Sequence, residues 1–323
     1  MADATYLSED CERNITLAAT VNAGEVQQLP SGRAGVMAGL TSGASGDKRA
    51  FYDEGKFTVT KASGVVILDG GPVYWDHSAN AATYKTVNDR DFYIGVAVGD
   101  AASADTTMVV DLNKRGSYTL DAVNGRSLSV ATGTAAAGGF GLTTSYGASR
   151  GLSLTATNEA QCIDLLTVDR VAVGANPIVE GIIRLGANGS TSAVDFNIGL
   201  ANGTSTTDAD AVTEHVFFHV DGGALDILAQ SKDGTTTVSA TDTTIDITAG
   251  SAVANAFEFW IDARDTANVK LYINGARVLS GTTFRLDAAT GPLGLLAHLE
   301  KTSGTATAGP VYVDALRART MEY

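Results

Sequence analysis

Apolar and polar side chains alternate one for one along much of this chain. That period of two, closed off by turn residues, confines it to β-sheet architectures. Phe57 and Val59 alternate with Lys56, Thr58 and Thr60, and Ile94, Val96 and Val98 alternate with Gly95 and Ala97. Further on, Phe257, Phe259 and Ile261 alternate with Glu258, Trp260 and Asp262, and Val269, Leu271 and Ile273 alternate with Lys270, Tyr272 and Asn274. Successive side chains of a strand point to opposite faces, so one face of each run is predicted to meet a core and the other water. Asn274-Gly275 tolerates the positive φ of a tight hairpin, and Asp221-Gly222, Asp233-Gly234 and Asn124-Gly125 repeat that signal. No segment sustains a helical period, and only 5 prolines interrupt the ladders. The expected fold class is all-β.

A chain of 323 residues is long enough for about two domains of ordinary size. With 44% hydrophobic residues and 36 glycines it has the apolar content to fold. The apolar runs at 65–68 and 135–140 fall far short of the roughly 18 residues of a bilayer span, so no membrane partner is expected. Residues 1–5 show no basic segment leading into an apolar one, and a secretory signal is not expected either. The net charge of −14 opposes a phosphate backbone, and it is spread evenly: residues 1–115 carry 10 basic and 15 acidic groups, residues 116–323 carry 12 and 21. Nucleic acid is therefore not an expected partner. Cys11 and Cys162 lie in different predicted domains and read as buried thiols rather than a disulfide. Between residues 116 and 150 the chain turns rich in Gly, Ala, Ser and Thr, notably at 131–139, which predicts a connector between domains 1–115 and 151–323. Residues 118–120 and 128–130 still alternate there, as short strands of either neighbour.

In the first half a set of segments follows in order: Gly32-Arg33-Ala34-Gly35-Val36, Gly55-Lys56-Phe57-Thr58-Val59-Thr60-Lys61, Asp69-Gly70-Gly71-Pro72-Val73-Tyr74-Trp75-Asp76, Ile94-Gly95-Val96-Ala97 and Val110-Asp111-Leu112-Asn113. This order resembles the phage capsid cement, or head decoration, proteins. The resemblance implies a small β-barrel-like or tulip-like module, usually a homotrimer, at threefold positions of a capsid shell, where it ties neighbouring major capsid protein subunits together. It implies no catalysis. Residues 2–13 precede the first strand, with Thr5, Tyr6 and Leu7 as candidate contacts of an arm that adds a strand to a capsid subunit's sheet edge; the alternative is a disordered terminus. Tyr74 and Trp75 are candidates for the core or for an interface anchor.

In the second half, Phe257-Glu258-Phe259-Trp260-Ile261-Asp262-Ala263-Arg264 leads to Val269-Lys270-Leu271-Tyr272-Ile273-Asn274-Gly275-Ala276-Arg277-Val278. Gly291-Pro292-Leu293-Gly294-Leu295-Leu296-Ala297-His298 and a last strand, Val311-Tyr312-Val313-Asp314-Ala315-Leu316-Arg317, follow. These segments resemble the concanavalin-like, laminin G-like jelly-roll sandwich. In such sandwiches the final strand pairs near the domain start, which points to residues 162–168. Folds of this kind often bind glycans, and Trp260 with Tyr272, on polar faces of adjacent strands, is the candidate platform. Exposed aromatics that cement sheets or subunits are the alternative.

Other constellations carry less chemistry. Glu258 and Asp262 share a face but lie about 13 Å apart along a strand, beyond the about 5–9.5 Å of paired-carboxylate hydrolysis. A hydrolase would need two carboxylates brought together by different strands. His215 and His219 fall on a strand, too far apart for one metal ion, and the Asp208-Ala209-Asp210 loop lacks the ligand series of a calcium motif. Gly138-Gly139-Phe140-Gly141 has no lysine-serine ending. Gly147-Ala148-Ser149-Arg150-Gly151 matches a nucleophile elbow without the strand and helix that motif needs. The Asn14, Asn188 and Asn202 sequons carry little weight in a bacterial virus. No metal, cofactor or catalytic residue is expected. The sequence therefore points to a phage head decoration protein, made in the host cytoplasm and placed on the outer surface of the virion capsid. The alternative is a virion-anchored lectin-like protein for host or mucosal glycans.

Overall fold

The computed structural model describes residues 12–132, 140–145, 149–155, 159–186, 194–221, 225–248, 255–302 and 308–320. Among them the chain is all-β apart from two 3-10 turns, Val173–Ala175 and Ala209–Ala211, and it divides into two compact units, Met1–Ser117 and Tyr118–Tyr323.

The first unit holds two open sheets. One is built from β1 (Glu12–Thr16), β2 (Val26–Gln28), β3 (Ala34–Met37) and β4 (Lys48–Tyr52) in the order β1-β4-β3-β2. Leu17, Val21, Leu29, Met37 and Phe51 form its core. The other takes β5 (Lys56–Thr60), β6 (Pro72–Asp76), β7 (Ala81–Thr83), β8 (Phe92–Ala97) and β9 (Thr107–Leu112) in the order β5-β9-β8-β6-β7. Val73, Trp75, Ile94, Val110 and Leu112 are buried from it. Close approach explains Gly95: its φ is +151°, and a Cβ there would lie 2.1 Å from the carbonyl oxygen of Asp111 on β9. The barrel-like closure implied by the resemblance is not formed. The edges of the five-stranded sheet meet only at a single parallel bridge, Lys61 to Ala82, because β5 and β7 are too short to run a ladder.

Asn113 ties these two sheets together. It sits just past β9 in the left-handed region (φ 57°), and its side-chain amide donates to the carbonyls of Ala34 (2.9 Å) and Asp53 (2.7 Å). Its Oδ1 accepts from the Ala34 N–H at 2.9 Å. Arg33, beside Ala34, reaches the fully buried Asp53 at 3.3 Å. Thus the first and last segments of the ordered resemblance meet in space.

The second unit is a two-sheet sandwich. Its strands are β10 (Leu120–Asp121), β11 (Ser127–Thr132), β12 (Phe140–Ser145), β13 (Ser149–Leu154), β14 (Gln161–Thr167), β15 (Pro177–Leu185), β16 (Val194–Ala201) and β17 (Glu214–Asp221). They continue as β18 (Asp226–Asp233), β19 (Thr237–Asp246), β20 (Phe257–Asp262), β21 (Lys270–Ile273), β22 (Ala276–Val278), β23 (Gly294–Lys301) and β24 (Ala308–Thr320). One sheet runs β12-β13-β24-β15-β20-β21-β22, with β10 also on β24; the other runs β11-β14-β23-β16-β17-β18-β19. Their inner faces share one core, to which Ile163, Val179, Phe196, Ile198, Phe218, Phe259, Ile261 and Leu299 contribute. Each such side chain contributes about 1.5–3 kcal/mol by leaving water. The Asn274-Gly275 hairpin has the expected positive φ at both residues, 49° and 78°.

Two expectations change here. The stretch 116–150, expected as a connector with short strands at 118–120 and 128–130, belongs to the sandwich: residues 118–132, 140–145 and 149–154 supply four strands to it, since a ladder is held by backbone hydrogen bonds that small side chains do not forbid. Residues 133–139 lie outside the described residues. The final strand pairs with β13, β15 and β10, while residues 161–167 belong to the opposite sheet beside β23. Alternation identifies a strand but not its neighbour.

Replacing Asn113 by alanine removes three hydrogen bonds between the sheets and a residue tolerant of positive φ. Asn113→Ala is expected to destabilise the first unit by about 2–3 kcal/mol in denaturant unfolding. A loss under about 0.5 kcal/mol would contradict the role given to it.

Candidate functional site

In the first unit Trp75 is a core residue. It is buried on β6 opposite Ala82 and Phe92, and its indole N–H has no acceptor among the described residues. Tyr74, on the other face, is half-buried and meets Tyr93 edge-on at 5.6 Å. The Tyr93 hydroxyl in turn donates to the Lys114 carbonyl. The apolar side chains that this unit leaves in water are elsewhere: Leu40 is 100% exposed, Val87 66% and Val98 36%. Thr5, Tyr6 and Leu7, with Cys11, lie outside the described residues.

The proposed platform of Trp260 and Tyr272 is not an exposed one. The two are cross-strand partners with ring centroids 6.1 Å apart, but both are buried, at 4% and 6% exposure. Their face of the sheet is not wet. Glu180, the register partner of Trp260, is buried where it accepts from Tyr118 and pairs with Arg319 at 2.8 Å. Asp262 is forked by Arg264 through contacts of 2.8 Å, and Arg184 is clamped on Asp314. A polar face here is a layer of mutually paired long side chains.

The largest concentration of titratable chemistry lies on the outer face of the opposite sheet. Asp164, His298, Asn197 and His219 occupy one register row across β14, β23, β16 and β17. His298 is fully buried between two carboxylates, with Nδ1 2.5 Å from Asp164 and Nε2 2.9 Å from Glu300. His219 has Nε2 2.9 Å from Asp195 and Nδ1 3.9 Å from Asp210. Asn197 donates to Asp195 at 2.9 Å, and Gln230 donates to Asp210. The loop 202–213 folds over this row: Ala209 and Val212 pack on Leu166, Phe217 and Leu296, and Thr204 donates to Asp164.

Burial alone would push His298 down, but the hydrogen bonds and charges of Asp164 and Glu300 outweigh it and hold the imidazole up at about 9. His219 is likewise raised against its burial by Asp195, Asp210 and Asp221. Glu300 is pushed up by burial and by the charge of Asp195, its cross-strand partner, although His298 opposes that. Asp195 and Glu300 are therefore two carboxylates brought together by different strands, a juxtaposition that no local motif announced. The neighbouring row of Glu300 and Asp195 continues through Asp221, Asp226 and Asp246, each opposite the next. Like charges so placed disfavour the sheet, and Asp226 is raised by burial, by its hydrogen bond to Asp246 and by the neighbouring charges.

The remaining candidates find local partners. His215 stacks on Phe217 at 4.4 Å, contacts the Val212 carbonyl at 2.9 Å, and is lowered by burial to about 4. The Asp208 carboxylate accepts from the N–H of Asp210. No group of three or more potential metal ligands is placed to hold an ion among the described residues. Ser149 donates to Asp314 at 2.5 Å and is flanked by strands, while Gly147, Ala148 and the Asn188 sequon lie outside the described residues.

The two histidines give opposite pH dependences. The contribution of His298 is complete below its unfolded pKa of about 6.5 and is lost as pH rises through about 9, a change worth roughly 3 kcal/mol. That of His215 is complete above about 6.5 and is lost as pH falls towards about 4. The thermal unfolding midpoint is expected to fall on both sides of neutrality, and His298→Gln to flatten most of the alkaline decline while sparing the acid one. An alkaline decline unchanged in His298→Gln would contradict the assignment.

Several solved structures are similar to this chain. The Emp47p carbohydrate recognition domain is 11% identical, with a TM-score of 0.41, over 62% of this chain and 94% of its own. A structure from work on endo-acting O-glycanases, with which prominent members of the human gut microbiota initiate mucin breakdown, is 12% identical, with a TM-score of 0.38, over 55% and 81%. The binding domain of Botulinum neurotoxin DC, in complex with rat synaptotagmin II, is 11% identical, with a TM-score of 0.40, over 64% and 49%. No curated protein matches the chain. One family model does: residues 10–112, the span that holds both sheets of the first unit and ends beside Asn113, match the phage cement proteins.

Proposed function

We propose that this chain is a bacteriophage capsid decoration protein: the first unit binds the outer surface of the head and stabilises the lattice of the major capsid protein, and the second unit is displayed with it. The match of residues 10–112 to the phage cement family carries this reading. The segment lies within one compact unit, so the binding module is also a folding module. Cement proteins act through many weak contacts made at once, and a homotrimer at threefold positions multiplies them. The role needs no catalytic step and places the protein on the virion surface. Leu40 and Val87, the most exposed apolar side chains described in the first unit, are ones whose burial against a shell would contribute binding rather than folding energy.

A second reading, glycan binding by the second unit, loses the Trp260–Tyr272 platform. It retains one supporting observation: Asp195, Asp210 and Glu300, partly exposed on one face, offer carboxylates to sugar hydroxyls. A glycan array should then show signal that Asp195→Asn abolishes, and an array with no signal removes the reading.

Adding the purified protein to heads that lack it is expected to give saturable attachment and a higher temperature of head disruption. Leu40→Asp together with Val87→Asp should weaken attachment at least tenfold without changing unfolding. The solution mass is expected to be three times 33.1 kDa. Failure of the wild-type chain to attach would overturn the proposal.

A further inference from the structure

At one end of the sandwich β14 begins at Gln161 and β23 ends at Lys301, and the two residues are direct cross-strand partners. Gln161 alternates in phase with Ile163, and Lys301 with Leu299, both core residues, so both polar side chains turn to the inside of the sandwich. Each is only 3% exposed. Their ends converge on one residue. The Lys301 Nζ donates to the backbone carbonyl of Glu159, and the Gln161 Nε2 donates to the Glu159 carboxylate at 3.4 Å. An amine, a carboxamide and a carboxylate are thereby gathered at one end of the sandwich, the first two buried and the third partly exposed. Cross-strand partners have Cβ atoms about 4.5–5.5 Å apart, well within the reach of a lysine side chain.

We propose that Lys301 and Gln161 are joined by an intramolecular isopeptide bond, formed with Glu159 as the proton carrier. The Lys301 Nζ attacks the Gln161 Cδ as a neutral amine, and a new C–N bond forms. The Glu159 carboxylate accepts a proton from Nζ and passes it to Nε2, the Cδ–Nε2 bond breaks, and ammonia leaves. No oxidant, reductant or second substrate enters the balance. Burial favours the neutral amine by lowering Lys301, against the charge of Glu159. The link would close a loop of 141 residues, Gln161 to Lys301, and so restrict the unfolded chain as a disulfide does. It stands independently of the capsid role.

The intact mass of the full-length chain under denaturing conditions tests it. Most molecules should be lighter than the sequence mass by one ammonia, and proteolysis should yield a branched peptide containing Gln161 and Lys301. Lys301→Met and Glu159→Gln should each restore the sequence mass. If a variant does not fold, the wild-type mass and peptide map still decide. A full sequence mass with the two residues in separate linear peptides overturns the proposal. So does loss of water mapped to a Lys301–Glu159 link, or loss of ammonia mapped to an asparagine.

Discussion

The sheets of the sandwich bury polar side chains on their outer faces as well as apolar ones between them. A buried polar group without a partner costs about 1–3 kcal/mol, and a buried charge costs more. This requirement organises the second unit. His298 is buried only because Asp164 and Glu300 flank it, and Glu180 because Tyr118 and Arg319 do. Arg184, among the largest fully buried side chains, is held by Asp314. The loop 202–213 and the lead-in at Tyr118 exist in their positions because they supply these partners and cover them.

The same requirement limits what the faces can do. Many of the carboxylates, amides and bases of the sandwich are committed to one another, and Asp195, Asp210 and Glu300, which still reach water, surround a single row of the sheet. The first unit is simpler. Two small sheets joined through Asn113 leave little exposed chemistry beyond scattered charges and a few apolar side chains such as Leu40. A surface of that kind suits a partner that recurs many times in a lattice, where repetition supplies the avidity that each contact lacks.

Strands and turns were legible in the sequence because period two and glycine chemistry are local. Asn274-Gly275 needs positive φ wherever it sits, and Ile94-Gly95-Val96 alternates whatever its neighbours. Coverage of a face is not local. Trp260 and Tyr272 were rightly placed on one face with Glu258 and Asp262, but only the assembled sheet reveals that the face is shut. Between residues 118 and 150 only the alternation at 118–120 and 128–130 was legible, and the rest read as a connector because Ser, Thr and Gly carry little apolar signal. The network around His298 draws on Asp164, Asn197 and Asp195 from strands far apart in the chain. Its trace in the sequence is slight: a lone histidine inside Leu295-Leu296-Ala297-His298-Leu299, and a lone Asp164 between Ile163 and Leu165. A charge set in an apolar run signals a paired interior site, yet never names the partner.

The division of labour between the two units is open to direct observation. A cryo-EM map of the phage head at a resolution that distinguishes the first unit's two small sheets from the larger sandwich tests it. The first unit is expected on the shell at threefold positions, in contact with the major capsid protein. A map in which the sandwich makes the shell contacts, or in which the head carries no density for this chain, would contradict the account.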